Sequence, residues 1–326
     1  MSNRLARYLS WVVALAAVAY LAYRLYTYDQ WAELSTFDFR LSTLVPLAAA
    51  LLLMPLNMLL EALRWRLLVR DIQHLSLADA QRAVYYGTAG ALLTPERLGE
   101  YPTRALLLRD PDRWPEATLR GFIGSLTTTL IITLFALPAL FSLSAQSVQS
   151  VQSVLPSLSP YLVLLVCLFL LVCLFLLPRL ICALTGHDCH LGRGRLARDR
   201  VLRRAHDCPT DRALSTLLLS LTALRYLVWC LQLYLVLYAC ACPLTLREAL
   251  TLIPFYYLLV TYTPSLPAAD AAVRGIWLII AMHIDPPAAA IAATLMWTVN
   301  TLCPVLIGVL VKKTAAASSP TPAATP

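Results

Sequence analysis

Apolar segments long enough to cross a bilayer recur along this chain, and they restrict the folds available to it. A transmembrane helix needs about 20 mostly apolar residues, and such stretches cover roughly residues 8–26, 42–62, 121–143, 160–182 and 213–241. The chain is 59% hydrophobic and 13% charged, whereas soluble domains contain about 25% charged residues. Because hydrocarbon cannot hydrogen-bond to a peptide group, helices are favoured as the spanning elements. The sequence therefore predicts an all-α, polytopic integral membrane protein.

The positive charge of the chain is placed where it would set membrane topology. The formal net charge is +8, but most of the arginines flank apolar segments, where they favour the cytoplasmic side and contact anionic headgroups. This placement argues against nucleic acid as a partner. Arg4 and Arg7 precede the first apolar segment, so the N-terminus is expected in the cytoplasm and the first segment is expected to remain uncleaved.

Two further apolar segments are interrupted by a Thr-Pro pair and then by charges. The first contains Tyr85-Tyr86, Thr94-Pro95, Glu100 and Arg104. The second contains Tyr256-Tyr257, Thr263-Pro264, Asp270 and Arg274. In both segments an acid is followed four residues later by an arginine, although the other spacings differ by a residue or two. The two segments therefore form a quasi-repeat.

The physical chemistry of these interruptions predicts a polar site inside the membrane. Proline removes a backbone donor and disfavours helix in the preceding residue, so Pro95 and Pro264 are the expected helix breaks. Broken helices within a membrane line cavities or lie inside protein, and paired breaks in two halves point to a transporter's substrate site. The alternative is that both segments are loops at the membrane surface with solvated charges. Occurrence of the pattern twice favours the buried site.

The residues around the first break resemble a known family. An asparagine precedes an Arg-Trp pair, here Asn57 and Arg64-Trp65, and a Pro-x-Arg-x-Gly-Glu box with a following arginine comes next, here Pro95, Arg97, Gly99, Glu100 and Arg104. This order resembles the lysylphosphatidylglycerol synthase transmembrane-region family, also called flippase-like membrane proteins. The resemblance extends over roughly residues 5–311.

The resemblance implies a module that moves a lipid, often charged or polyprenyl-linked, between leaflets of the bacterial cytoplasmic (inner) membrane. Larger relatives carry a soluble aminoacyl-transferase domain, and this chain ends soon after its last apolar segment, so synthase activity is not implied. The second box departs from the family pattern: it has alanines in place of glycines and Asp270 in place of a glutamate. These departures leave the identity of the lipid open.

Two other groups of residues are candidates for a metal site or a catalytic site. The basic loop 182–208 contains metal-binding residue types but no CxxC pair, and its arginines would repel a cation, so a solvated loop is favoured over a metal site. The chain has no HExxH, no GxSxG and no glycine-rich phosphate loop, so no catalytic role, ATPase activity or cofactor is expected. An alternative remains open, in which Glu61, Glu100 and Asp270 serve as acid and base in a lipid-modifying enzyme, or the chain is an accessory subunit of one.

The sequence thus predicts about seven to nine membrane segments, two of them interrupted or re-entrant, with halves related by a weak inverted repeat. Residues 1–313 would form the transmembrane domain and residues 314–326 a disordered tail. The substrate site is assigned to an anionic lipid headgroup. The headgroup would be contacted by Arg97, Arg104 and Arg274. Arg64 would lie near the entrance of the site. The carboxylates of Glu100 and Asp270 would orient the arginines. A lipid synthase or glycosyltransferase is a candidate partner.

Overall fold

The computed structural model of the chain describes residues 41–92, 94, 97–145, 212–267 and 269–317, together with positions 19, 22, 23 and 26. The predictions for segments 8–26 and 160–182, for the 182–208 loop and for Pro95 fall outside these residues, apart from those four positions. The last helix runs through Ala317, so the first residues of the predicted tail are helical. The rest of the tail is outside the described part of the chain.

The described residues form nine α-helices, numbered here in chain order, and no strand. They are α1 (Leu41–Leu68), α2 (Leu77–Leu92), α3 (Glu100–Ala105), α4 (Trp114–Ala145), α5 (Arg212–Ala239), α6 (Leu246–Tyr262), α7 (Asp270–Met282), α8 (Pro286–Trp297) and α9 (Cys303–Ala317). A short 3-10 turn, Pro111–Arg113, precedes α4, and a π-helical segment, Thr298–Leu302, joins α8 to α9.

Four of the described helical stretches are long and apolar enough to cross a membrane. These are Thr43–Leu68, Pro111–Ala139, Ser215–Ala239 and Pro286–Leu310. Together with the helical content of the described residues, they confirm the all-α membrane class. The predicted number of membrane segments also includes segments that the structure does not describe, and that number, the re-entrant path and the inverted repeat stay predictions.

Both interrupted segments consist of a helix, a break and a second helix. Residues 93–99 separate α2 from α3, and residues 263–269 separate α6 from α7. Each Thr-Pro threonine supports its own break: Thr94 Oγ1 accepts a hydrogen bond from the Gly99 N–H at 2.7 Å, and Thr263 Oγ1 accepts one from Trp277 Nε1 at 2.9 Å. In both pairs the second helix begins at the acid of the quasi-repeat.

The helix boundaries near the second break differ from those expected. From the sequence pattern alone, residues 249–274 are expected as one segment and residues 275–284 as a separate apolar stretch. In the structure, α7 joins the acid, the arginine and that apolar stretch into a single helix. The reason is local: no proline lies between Asp270 and Met282, and alanines, which have the highest helix propensity, follow the acid directly.

Two hydrophobic clusters hold the broken pairs in place. One contains Trp65, Ala83 and Val84 and lies behind the first break, while the other contains Tyr256 and Tyr257 and lies behind the second. Helix α1 packs on α5, α2 packs on α9, and α7 packs on α8. The polar ends of both breaks are thereby held between the helices.

Candidate functional site

A cavity of ≈ 300 Å³ lies between the two broken helix pairs. Its walls come from α1 to α8 and from the π-helical segment. All six charged residues predicted as site residues line it: Arg64, Arg97, Glu100, Arg104, Asp270 and Arg274. Pro264 lies in the second break, next to cavity-lining residues. The structure thus brings the two boxes together, while their role in binding a substrate stays a prediction.

In the first box, Arg104 is held by two carboxylates. Its Nη1 donates to Glu61 Oε1 at 2.6 Å and its Nη2 donates to Glu100 Oε1. The guanidinium also lies over the rings of Trp65 and Tyr101, with centroid distances of 5.7 and 5.5 Å. The side chain is 2% exposed. Arg104 therefore fixes the architecture of the first box.

In the second box, the corresponding ion pair leaves its arginine more open. Arg274 Nε donates to Asp270 Oδ2 at 3.0 Å, again across one helical turn. Its side chain is 21% exposed, against the 2% of Arg104. Arg274 is therefore the more accessible of the two arginines that follow the box acids.

Arg97 is the most exposed cation of the cavity. Its side chain is 39% exposed, and its Nε lies 3.3 Å from Glu100 Oε2. Its backbone has a φ of 58°, a left-handed conformation that costs free energy in a residue with a Cβ and that often marks a functional site. Like Arg274, it contacts its acid through Nε, and its side chain is the more exposed of the two.

Glu61 is the centre of the buried network. Arg64 Nη1 donates to its Oε2 at 2.6 Å, Arg104 contacts its other oxygen, and Arg225 Nη1 lies 2.7 Å from Oε2. Arg64 also donates to the Gly124 carbonyl, so it is more enclosed than the entrance position expected from the sequence. One carboxylate therefore joins three arginines from α1, α3 and α5.

Arg225 is the main site residue that the sequence reasoning missed. It is the one charged residue in the span Ser215–Ala239 and lies at its eleventh position, about 15 Å along the helix at 1.5 Å per residue. An isolated charge at that depth is by default a functional candidate, and this signal was available. Its guanidinium stacks over Trp229 with a centroid distance of 4.5 Å.

Two asparagines connect Arg225 to the π-helical segment. Arg225 Nε donates to Asn57 Oδ1 at 2.8 Å, and Asn57 Nδ2 donates to Asn300 Oδ1 at 2.9 Å. Asn300 lies within Thr298–Leu302, and π-helical turns occur frequently at functional sites. The network therefore extends from α1 through α5 to the junction of α8 and α9.

The charged lining of the cavity is unbalanced. It contains five arginines but three carboxylates, those of Glu61, Glu100 and Asp270. Low dielectric strengthens the field of an uncompensated charge, so the cavity favours an anionic group. Among the described residues, no group of three or more histidines, cysteines or acids is placed to hold a metal.

Comparison with known families gives the classification. Residues 8–308 match the Lysylphosphatidylglycerol synthase TM region family. The chain belongs to this family. A search among curated proteins gives no significant match. As a member of a lipid-related membrane family with several apolar spans, the protein is a multi-pass membrane protein.

The residues that carry the family resemblance have a common location. Asn57 and Arg64 of α1, together with Arg97, Glu100 and Arg104 of the first box, line the cavity. Pro95 is the exception that cannot be placed, because it falls outside the described residues. Trp65 packs behind the cavity and supports Arg104. The family motif in this chain therefore builds one wall of a polar cavity.

Proposed function

We propose that this chain moves a lipid with an anionic headgroup, such as a phospholipid or a polyprenyl-linked lipid, between the leaflets of the bacterial cytoplasmic membrane. The supporting observation is that the charged ends of both broken helices line one cavity with an excess of arginine. Half-helix ends at a central site are a recurring feature of transporters. The lipid is not chemically modified during this transfer. A lipid synthase or glycosyltransferase supplies the lipid or uses it.

The arginines divide into two roles in this proposal. Arg97 and Arg274, the more exposed pair, donate to the headgroup, since planar guanidinium groups bind phosphate through two parallel hydrogen bonds. Glu100 and Asp270 orient them through the Nε contacts. Arg64 and Arg104 are enclosed by protein partners and keep the cavity in shape.

Removal of the two exposed arginines should abolish selective lipid retention. The double variant Arg97→Ala, Arg274→Ala is expected to lose one lipid class that co-purifies with the wild-type protein in mild detergent, because both headgroup donors are absent. Mass spectrometry of retained lipids measures this. Arg82→Ala is a matched control, since Arg82 is 59% exposed and pairs with Asp79 on α2. Equal lipid profiles in wild type and double variant would contradict the headgroup assignment and favour a surface role for both boxes.

Neutralising the acid of either box should impair the same activity. Glu100→Gln and Asp270→Asn each release an arginine of the shared cavity from its orienting carboxylate. We expect each to slow transfer of a fluorescent anionic phospholipid across liposomes by roughly tenfold or more, as expected for loss of a charge-assisted hydrogen bond. Asp79→Asn, on the exposed face of α2, is the control.

Two outcomes would count against this assignment. Loss of transfer with one substitution and full tolerance of the other, at similar expression, would argue against a single site built from both boxes. Formation of a new lipid product by the purified wild-type protein would replace transport by enzymatic modification.

A further inference from the structure

The two helices that precede the broken pairs in the chain, α1 and α5, share a short motif. Helix α1 contains Ala62-Leu63-Arg64-Trp65 and α5 contains Ala223-Leu224-Arg225-Tyr226. In both helices the arginine contacts Glu61, and the aromatic residue after it is fully buried. Each motif is followed by a Tyr-Tyr helix, a Thr-Pro break and an acid-arginine helix. The spacing between arginine and first tyrosine differs, 21 residues against 31. At the level of sequence, the quasi-repeat therefore extends to α1 and α5, with Arg225 at the position that corresponds to Arg64.

The two copies of the motif differ in one position that carries charge. Glu61 lies three residues before Arg64 and is its ion-pair partner. The corresponding position before Arg225 is Thr222, whose hydroxyl donates to the Leu218 carbonyl at 2.7 Å. The second copy thus lacks an acid of its own, and Arg225 uses Glu61 from the first copy. The presence of threonine instead of an acid at this position accounts for part of the excess of arginine in the cavity.

The contacts of Arg225 continue toward the second box. Its guanidinium stacks on Trp229, and the Trp229 ring stacks on Tyr257 with a centroid distance of 6.3 Å. Tyr257 and Arg274 face the same cavity. All four residues line the cavity. Helices α5 and α7 therefore offer two arginines with one carboxylate, that of Asp270, beside an aromatic wall.

From this asymmetry we infer that the phosphate of the lipid supplies the negative charge that the second motif lacks and binds Arg225 from the cavity. This inference rests on the proposed lipid transport. It adds Arg225 to the binding residues and an exchange of the ion-pair partner of Arg225 to the mechanism. In the structure Arg225 is paired with Glu61 of α1. With lipid bound, Arg225 turns to the phosphate and its ion pair with Glu61 is released. Because that ion pair joins the two copies of the repeat, lipid binding loosens one of the contacts between them.

Supplying the missing acid tests this exchange directly. Thr222→Glu places a carboxylate one turn before Arg225, as Glu61 is placed before Arg64, and it should weaken binding of dioleoylphosphatidylglycerol by roughly 10- to 100-fold, the range for losing one charge-assisted hydrogen bond. The glutamine of Thr222→Gln has nearly the same volume as the glutamate of Thr222→Glu but carries no charge. The affinity of this variant for the lipid should stay within about threefold of wild type. Native mass spectrometry of the full chain, titrated with this lipid and with dioleoylphosphatidylcholine, gives the two affinities. Equal weakening by both variants, or no weakening by Thr222→Glu, overturns the inference.

Because Thr222 is fully buried, its variants could fail to fold, and a second pair of variants at Arg225 keeps the test decisive. Arg225→Gln should lower the preference for the anionic over the zwitterionic lipid about tenfold, whereas Arg225→Lys should retain part of it, because the charge remains but the bidentate geometry is lost. A purely structural role for Arg225 would lower the melting temperature of both variants without changing the preference. That result overturns the inference even if neither Thr222 variant folds.

The same titration separates this inference from the transport proposal. If wild type shows no preference for the anionic lipid, both fail. If wild type prefers it and all Arg225 and Thr222 variants do so equally, the exchange alone is wrong. A parallel titration with inorganic phosphate identifies the source of the anion. If free phosphate stabilises the wild type but not Thr222→Glu, and no lipid is bound selectively, the site binds a soluble phosphate compound. That result would overturn the lipid assignment.

Discussion

Glu61→Gln is expected to be the most damaging single substitution in the cavity. Glu61 is 6% exposed and contacts Arg64, Arg104 and Arg225. Without its charge, three guanidinium groups are left with one carboxylate fewer in a low-dielectric site. Breaking a buried ion pair by removing one partner costs about 3–5 kcal/mol. We therefore expect a large loss of thermal stability in detergent, measured by fluorescence-detected size exclusion after heating.

A control and a double variant make this result interpretable. Glu248→Gln changes the same side chain in an exposed capping box, where Glu248 accepts from Thr245, and should change the melting temperature far less than Glu61→Gln does. Adding Arg225→Gln to Glu61→Gln removes one of the stranded charges and should recover part of the stability, as expected for coupled neighbours. Independent, additive losses would mean that Arg225 and Glu61 do not depend on each other.

Gly308→Ala is expected to separate the last helix from the first broken pair. A Cβ at Gly308 would lie 2.0 Å from the Tyr85 carbonyl oxygen, which is backbone and cannot rotate away. Helix α9 packs on α2 through this contact, in the way small residues allow close helix approach in membranes. Overpacking costs about 1–3 kcal/mol, occasionally more, so we expect a lower melting temperature together with weaker lipid retention.

A second glycine gives the comparison for this substitution. At Gly124, the nearest atom to an added Cβ is Leu68 Cδ1 at 2.9 Å, the end of a flexible side chain that can move. Gly124→Ala should therefore be tolerated with little change in melting temperature. Similar losses for both glycines would indicate that backbone contact between α2 and α9 is not the cause.

The arrangement of the cavity explains why stability and function should be linked in this protein. Glu61 is both the partner of the buried arginines and the partner that Arg225 would leave when lipid binds. A site of this kind pairs its most buried arginines with carboxylates of the protein, since unpaired charges at membrane depth are costly. It also keeps one cation able to exchange partners. Substitutions at the centre of the network should therefore affect folding, while substitutions at Arg97 and Arg274 should affect ligand binding alone.

The sequence alone determined the membrane class, the two broken segments and the acid-arginine pairs within them. These features are local. A length of about 20 apolar residues predicts a span wherever it occurs, a proline disrupts its own turn, and residues four apart on a helix are neighbours. The pairs Glu100–Arg104 and Asp270–Arg274 follow from that geometry, and both are present.

Only the tertiary structure decided which of these local features meet. Glu61 contacts Arg104 across 43 residues, Arg225 contacts Asn57 across 168, and Asn57 contacts Asn300 across 243. Such contacts depend on how helices pack, and the packing surfaces are apolar residues that look alike along the chain. Arg225 was visible as an isolated charge, but its partner was not. The convergence of both boxes on one cavity therefore results from the packing of helices, which no local pattern encodes.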